Sequence, residues 1–232
     1  MALLMMGVDL GAIAYFNAQQ MKRRLLLLEQ QNLKQELQHL RYQINPHFFM
    51  NTLNNIHVLV DVDKEKAKQT IIDLSKLMRF SLNADNKTLV PLNKEAEFLN
   101  LYISLMRLRY SDKLEIAFTI PEETSSDITL PPLMLATFVE NAFKHGVSYL
   151  ESSFILIKLW IDEECNQIHF HCVNSRHEAT TDDKHHGIGL ENVRKRLDLQ
   201  YADNYMLDIN QDDKTFTVNL TLPILKHNNP IV

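Results

Sequence analysis

Apolar residues recur at Leu26, Leu33, Leu37, Leu40 and Ile44, in steps of four and three with Gln30 filling one step. This is a coiled-coil seam, and the Glu, Gln, Lys and Arg between its members suit solvated flanks. Continued unchanged, the seam would fall next on His47 and Asn51. Instead the apolar positions resume at Phe49, Leu53, Ile56 and Val60, a slip of two residues, or roughly half a turn at about 100° per residue. Pro46 sits at the slip. Proline removes a backbone donor and clashes with the preceding turn, so the helix must kink or restart there. The pattern predicts a restarted helix over about 47–60, with Asn45 as N-cap and Pro46 at its first position. His47, Asn51 and Asn54 then form a polar stripe that turns His47 outwards.

Helical periodicity continues to about residue 110. A helix over about 64–84 carries Ile71, Leu74, Leu77 and Met78 on one face. After a polar loop at Asn83–Thr88, another runs from about Leu92 to Tyr110 with Leu92, Leu99, Ile103 and Met106 together. The texture changes at about Lys113. Leu114–Ile120, Phe154–Trp160 and Ile168–Cys172 read as strands, and 121–129 as a loop. Pro131-Pro132 opens a helix through about His145. Ser175–His186 is a polar loop, Gly189–Leu199 a helix, and Tyr205–Ile209 with Phe216–Leu222 a hairpin. The fold class is therefore α+β: helices first, then an antiparallel sheet with helices on one face.

The N-terminus stands apart. Ala2 to Phe16 is apolar except for Asp9, and Met21-Lys-Arg-Arg24 follows. About 15 residues are too few to span a bilayer, which takes roughly 20. The basic cluster would mark a cytoplasmic flank. The segment reads as the end of a transmembrane helix; a buried or interfacial amphipathic helix is the alternative.

Composition adds exclusions. At 232 residues, 45% hydrophobic and 23% charged, the chain is globular, with room for one or two domains. A formal charge of −5 gives no electrostatic case for direct nucleic-acid binding. Cys165 and Cys172 stand in neither a zinc nor a CxxC spacing, which suits a reducing cytosol.

Two groups of residues carry chemistry. Of the five glycines, Gly146, Gly187 and Gly189 lie in the mixed half. Gly187-Ile-Gly189-Leu190 ends the polar loop and opens a helix, where free N–H groups and the helix dipole favour phosphate. Asn141 and Lys144 share a face of the preceding helix. An Asn oxygen can help hold Mg²⁺, and a Lys can neutralise phosphate charge. His177, His185 and His186 match no metal-ligand spacing and read as solvent-exposed loop residues.

Taken in order, the motifs resemble the LytS-type sensor histidine kinases. They are Leu40-Arg-Tyr-Gln-Ile-Asn-Pro-His-Phe-Phe-Met-Asn51, Leu74-Ser-Lys-Leu-Met-Arg-Phe80, Val90-Pro-Leu92 and Pro131-Pro-Leu-Met-Leu135. Val139-Glu-Asn-Ala142, Lys144-His-Gly146 and Gly187-Ile-Gly-Leu-Glu-Asn-Val-Arg-Lys-Arg-Leu197 complete the set. The resemblance covers about residues 35–225. To the remnant of a transmembrane helix in 1–16 and the coiled-coil linker in 17–44 that the apolar pattern suggests, it adds phosphoacceptor and dimerisation helices in 45–112. A GHKL (Bergerat) ATP-binding α/β sandwich would occupy 113–226, with a tail in 227–232.

The resemblance further implies autophosphorylation of His47 from ATP, with Asn51 in support, and transfer to a response-regulator aspartate. Asn141 matches the Mg²⁺-binding asparagine; Glu140, Lys144 and His145 match its neighbours in the nucleotide site. Gly187, Gly189 and Leu190 match the glycine box beside the ATP lid. The implied partners are a second copy of the chain and a response regulator, often with a LytTR-type DNA-binding domain. The implied place is the cytoplasmic face of a bacterial inner membrane.

One departure stands out. GHKL proteins generally carry Asp-x-Gly-x-Gly after the central strand, whereas this chain has Asn174-Ser-Arg-His-Glu178. An Asn oxygen can accept from the adenine amine and its NH₂ can donate to a ring nitrogen, so Asn174 is the expected adenine contact. Two alternatives compete with the kinase: a dimeric signalling scaffold with a degenerate nucleotide site, and a GHKL ATPase that releases phosphate to water. The Pro46–His47 motif argues against the latter.

Overall fold

The computed structural model describes residues 15–24, 26–27, 46–84, 89–110, 114–121, 127–148, 151–177 and 188–226, with backbone alone at 46, 47, 84, 188 and 226. It divides into two compact units, Met1–Phe49 and Met50–Val232. In the first, residues 15–24 and 26–27 are helical and exposed (α1). The seam from Leu33 to Ile44, and nearly all of the apolar segment 1–16, lie outside the described residues. Among those described, no helix is long and apolar enough to cross a membrane.

Helix α2, Pro46–Val62, begins on Pro46, where the fixed φ of proline suits a first helical position. The buried line along it is Phe48, Thr52 and Ile56. That is one position earlier than the expected Phe49–Leu53 seam, and it leaves Leu53 and Val60 exposed at 51% and 46%. Asp63 then caps α3, Lys64–Ala84, its carboxylate accepting from the Lys66 N–H at 3.0 Å. Helix α3 buries Ala67, Thr70, Leu74, Leu77 and Ser81. Of its expected apolar face, Leu74 and Leu77 are inside, whereas Ile71 and Met78 are not.

Strand β1, Val90–Pro91, leads into α4, Leu92–Arg107. The expected face of α4 is the observed one: Leu92, Leu99, Ile103 and Met106 are all buried. The remaining elements are β2 (Leu114–Thr119), β3 (Ile128–Leu130), α5 (Met134–His145), β4 (Ser153–Asp162), β5 (Gln167–Ser175), α6 (Ile188–Tyr201), β6 (Met206–Gln211), β7 (Thr215–Pro223) and β8 (Leu225–Lys226).

Five strands form one sheet in the order β2-β4-β5-β7-β6. The sheet is mixed. Strands β4, β5, β7 and β6 run antiparallel, but β2 pairs with β4 in parallel, from Leu114↔Ser153 to Thr119↔Lys158. The chain between β2 and β4 passes through α5, and such a crossover returns the next strand in the same direction. The wholly antiparallel sheet expected from the sequence overlooks that crossover. A second, small sheet in the order β1-β3-β8 ties Val90–Pro91 to Ile128–Leu130 and Leu225–Lys226. Its strands are two or three residues long, too short to show a period.

The core lies between the large sheet and its helices. Ile155, Ile157 and Leu159 of β4, Ile168, Phe170 and Cys172 of β5, and Val218, Leu220 and Leu222 of β7 point inwards. From α5 come Leu135, Phe138, Val139 and Ala142, and from α6 Val193, Leu197 and Tyr201. The rings of Phe138 and Phe170 lie 5.8 Å apart. Each such large side chain stabilises by roughly 1.5–3 kcal/mol on burial. Burial also pushes the Cys172 thiol up to about 12, so it serves as a core residue and not a nucleophile.

Helix α4 shares this packing. A run of rings passes from Phe80 of α3 to Phe98 and Tyr102 of α4, and on to Phe143 of α5, with centroid separations of 5.0, 6.3 and 6.0 Å. The change of texture at Lys113 is therefore not a break in packing.

Candidate nucleotide site

Helix α5 supplies the centre of the site. Glu140, Asn141 and His145 are half-buried and Lys144 is exposed, all within its last two turns. Asn141 and Lys144 share a face, as three-residue spacing requires. The N-terminus of α6 comes up against this face. A methyl group at Gly189 would stand 4.0 Å from both amide atoms of Asn141 and 3.7 Å from Thr137 Cγ2. Gly189 is thus bare backbone beside Asn141, at the start of a 14-residue helix. Its unpaired N–H groups and positive dipole end are suited to phosphate. Leu190 follows, half-buried, in the same first turn. Gly187 lies outside the described residues.

The surroundings of Asn174, the expected adenine contact, are built differently from the expectation. Gly146 caps α5, its N–H donating to the Ala142 carbonyl at 2.8 Å. A Cβ at this position would stand 2.6 Å from Asn174 Cβ and 2.7 Å from its Nδ2. Gly146 is therefore glycine because Asn174 packs directly against it. Asn174 itself is buried on β5, paired in register with Ile155 and Phe216. Its Nδ2 donates to the Ser175 carbonyl at 2.7 Å. The donation to a ring nitrogen expected of this NH₂ competes with that internal bond.

His177 departs from the expected exposure: its side chain is 18% exposed. It lies two residues past the end of β5, beside the start of β4, so its ring reaches inwards. Its Nε2 is 3.0 Å from Ser153 Oγ, and its Nδ1 is 3.1 Å from Glu151 Oε2. Ser175 Oγ accepts from the Phe154 N–H at 2.6 Å and so stitches the same two strand ends. His185, His186 and Glu178 lie outside the described residues.

His47 is the second residue of α2, with only its backbone described. Asn51, one turn on, is half-buried.

Two residues at the site's edge escape a reading of motifs. Thr137, one turn before Asn141, donates through Oγ1 to the Leu133 carbonyl at 3.2 Å and packs beside Gly189. Glu95 of α4 is fully buried, and its carboxylate accepts from the Leu133 and Leu135 N–H groups at 2.9 and 3.1 Å. Burial pushes its pKa from 4.5 up to about 7, against the pull of these backbone donors and of Arg196. The signal for Glu95 is present in the sequence, since it lies on the same helical face as Leu92 and Leu99.

Residues 35–114 match a family model described as histidine kinase, and residues 133–223 one described as a GHKL domain. The sensor protein LytS of Oceanobacillus iheyensis is 30% identical over 225 residues, covering 91% of this chain and 37% of that protein. LytS of Staphylococcus saprophyticus is 28% identical over 199 residues, covering 81% of this chain and 34% of that protein. The chain thus spans about a third of the length of these curated relatives. Among solved structures, the histidine kinase domain of the Erythrobacter litoralis blue-light activated histidine kinase is similar, at 12% identity and a TM-score of 0.46. That similarity covers 77% of this chain and 96% of that domain.

Proposed function

We propose that this chain, which belongs to the LytS-type sensor histidine kinases, phosphorylates its own His47 from ATP and passes the phosphoryl group to a response-regulator aspartate. The observation that carries the reading is the meeting of Asn141 with the bare N-terminus of α6 at Gly189. An amide oxygen for a hard cation stands there beside backbone donors for phosphate, with Lys144 on the same face. These residues fit a Mg²⁺–triphosphate. Asn141 would hold the metal, whose chemistry is to neutralise charge between the phosphates, and the first-turn N–H groups of α6 and Lys144 would receive phosphate oxygens. Glu140, His145 and Leu190 border the same place, and Gly187 would join them through the motif that it shares with Gly189. Asn174 would face adenine through its oxygen.

His47 is the acceptor. An imidazole of ordinary pKa, near 6.5, is mostly neutral at pH 7 and presents a lone pair without a strong base. Its nitrogen forms a bond to the γ-phosphorus while the bond from that phosphorus to the bridging oxygen of ADP breaks; the ring proton leaves to water. Phosphoryl transfer asks the protein mainly for position and charge neutralisation. Helix α2 begins at Pro46, one residue before His47, so the acceptor stands in the first turn of a helix. Asn51 stands one turn further on, in support.

A second copy of the chain is the proposed partner of α2 and α3. Leu53 and Val60 on α2, and Ile71, Met78 and Leu82 on α3, are 39–57% exposed, an uncovered apolar set that a helical dimer would bury. The other partner is the response regulator, with a LytTR-type output domain, and the apolar N-terminal segment would anchor the protein to the membrane. The test is incubation with γ-labelled ATP and Mg²⁺. Acid-labile label on the wild type that is absent from His47→Gln supports the kinase. Absence of label from the wild type, with no nucleotide binding, overturns it.

A further inference from the structure

Helix α5 starts without a cap of its own. Its N-cap residue, Leu133, is in the left-handed region at φ 57° and contributes no side-chain bond. The missing acceptor comes from 38 residues earlier: Glu95 Oε2 takes the Leu133 N–H and Oε1 the Leu135 N–H. Arg196 of α6 approaches from a third side. Its Nη2 donates to the Pro132 carbonyl at 2.6 Å, and its charge acts on Glu95. The carboxylate therefore joins three elements: α4, which carries it, α5, which it caps, and α6, whose arginine it faces.

These are the two helices that flank the nucleotide residues. Asn141 lies two turns after the start of α5, and Arg196 two turns after Gly189. The pair is closed at one end by Gly189 against Asn141 and at the other by Arg196 and Glu95 around Pro132–Leu135.

We infer that Glu95 is a positioning residue for the nucleotide site, holding α5 and α6 in register and tying both to helix α4. The inference rests on the reading of Asn141 and Gly189 as that site. Once ionised, above about pH 7, the Glu95 carboxylate offers lone pairs to every donor around it, whereas a carboxamide turns an NH₂ toward at least one backbone N–H. Glu95→Gln would thus shift the start of α5, and Asn141 with it. Because linkage is reciprocal, nucleotide bound between α5 and α6 would in turn bias the contact with α4.

The test compares wild type, Glu95→Gln and the control Glu97→Gln as full chains. Glu97 is an exposed residue of the same helix, paired with Lys94 at 2.8 Å. Initial labelling rates are measured against Mg–ATP concentration well below the melting temperature, with a fluorescent ATP analogue titrated in parallel. A positioning role raises KM and the analogue's Kd by about fivefold or more in Glu95→Gln and leaves Glu97→Gln at wild-type values. A purely stabilising role lowers the active fraction with KM and Kd unchanged, and that result overturns the inference. Should Glu95→Gln fail to fold, Arg196→Gln removes the facing charge but keeps a donor for Pro132, and unchanged KM and Kd there overturn it equally. If the wild type binds the analogue but carries no label, the kinase reading fails while the Kd comparison still decides on Glu95.

Discussion

Two glycines at the proposed nucleotide site should respond oppositely to the same added methyl. Gly146 has φ −95°, a conformation open to any residue, so space alone makes it glycine. A Cβ there would stand 2.5 Å from the Ala142 carbonyl oxygen, 2.6 Å from Asn174 Cβ and 2.7 Å from Asn174 Nδ2. The carbonyl belongs to the last turn of α5, and Asn174 is buried on a central strand with its Nδ2 tied to Ser175. Neither is the free end of a flexible side chain. Gly146→Ala therefore forces backbone or a buried strand residue to move, an overpacking cost of about 1–3 kcal/mol. For a chain of this size that lowers Tm by roughly 2–12 °C. At Gly189 the nearest atoms are at 3.7 and 4.0 Å, ordinary contact. Alanine in a helix is favoured over glycine by roughly 0.5–1 kcal/mol, so Gly189→Ala holds or raises Tm. Its methyl nonetheless stands beside Asn141, where phosphate is proposed to approach, and nucleotide affinity is expected to fall. Thermal melts by circular dichroism and titration with a fluorescent ATP analogue read the two quantities separately. Should Gly146→Ala melt with the wild type, or Gly189→Ala lose stability without losing nucleotide, the reasoning from space is wrong.

Stability should depend on pH through Glu95. Burial raises its pKa from 4.5 to about 7, so between those values the folded state keeps a proton that the unfolded chain has released. The contribution of Glu95 to stability is then greatest below pH 4.5 and falls as pH rises to 7, by about 3 kcal/mol. Denaturant midpoints across this range should slope less in Glu95→Gln, and equal slopes refute the assignment. Asn141→Ala is expected to lower labelling by tenfold or more while melting within about 0.5 kcal/mol of wild type, since Asn141 is half-buried and outside the core; a large loss of stability would make it structural. Charged substitutions at the exposed Leu53 and Met78 should turn a dimer to monomer in sedimentation velocity with the secondary structure intact. A monomeric wild type would remove the case for that interface.

The sequence was legible where side chains repeat with a local period. Leu92, Leu99, Ile103 and Met106 share one helical face and are buried together, and the strand pattern of Ile155, Ile157 and Leu159 needs only alternation. The Asn141–Gly189 pairing was legible through its motifs, and the packing of the α6 start against α5 is the tertiary fact that matches them. Legibility failed where one period serves two surfaces. On α3, Leu74 and Leu77 turn inwards while Ile71 and Met78 remain exposed, and apolarity alone does not say which stripe meets its own chain. It failed again for β1, β3 and β8, whose pairing joins residues 90, 130 and 226 through strands too short to show a period.

Glu95 explains why the texture change at Lys113 misleads about packing. Composition along a chain marks where helical repeats give way to strands, and that does occur at 113. It carries no record of bonds between distant residues. Helix α4 lies before the change, yet its carboxylate caps α5 beyond it, its aromatic face meets Phe143, and β1 just ahead of it pairs with β3. Severing the chain at 113 would expose Leu92, Leu99 and Met106 and take away the carboxylate that accepts from the Leu133 and Leu135 N–H groups. Each lost hydrogen bond to the carboxylate costs about 1.5–3 kcal/mol. A fragment of residues 113–232 should therefore melt well below one of 89–232, and equal melting temperatures would show that α4 merely rests on a domain complete without it.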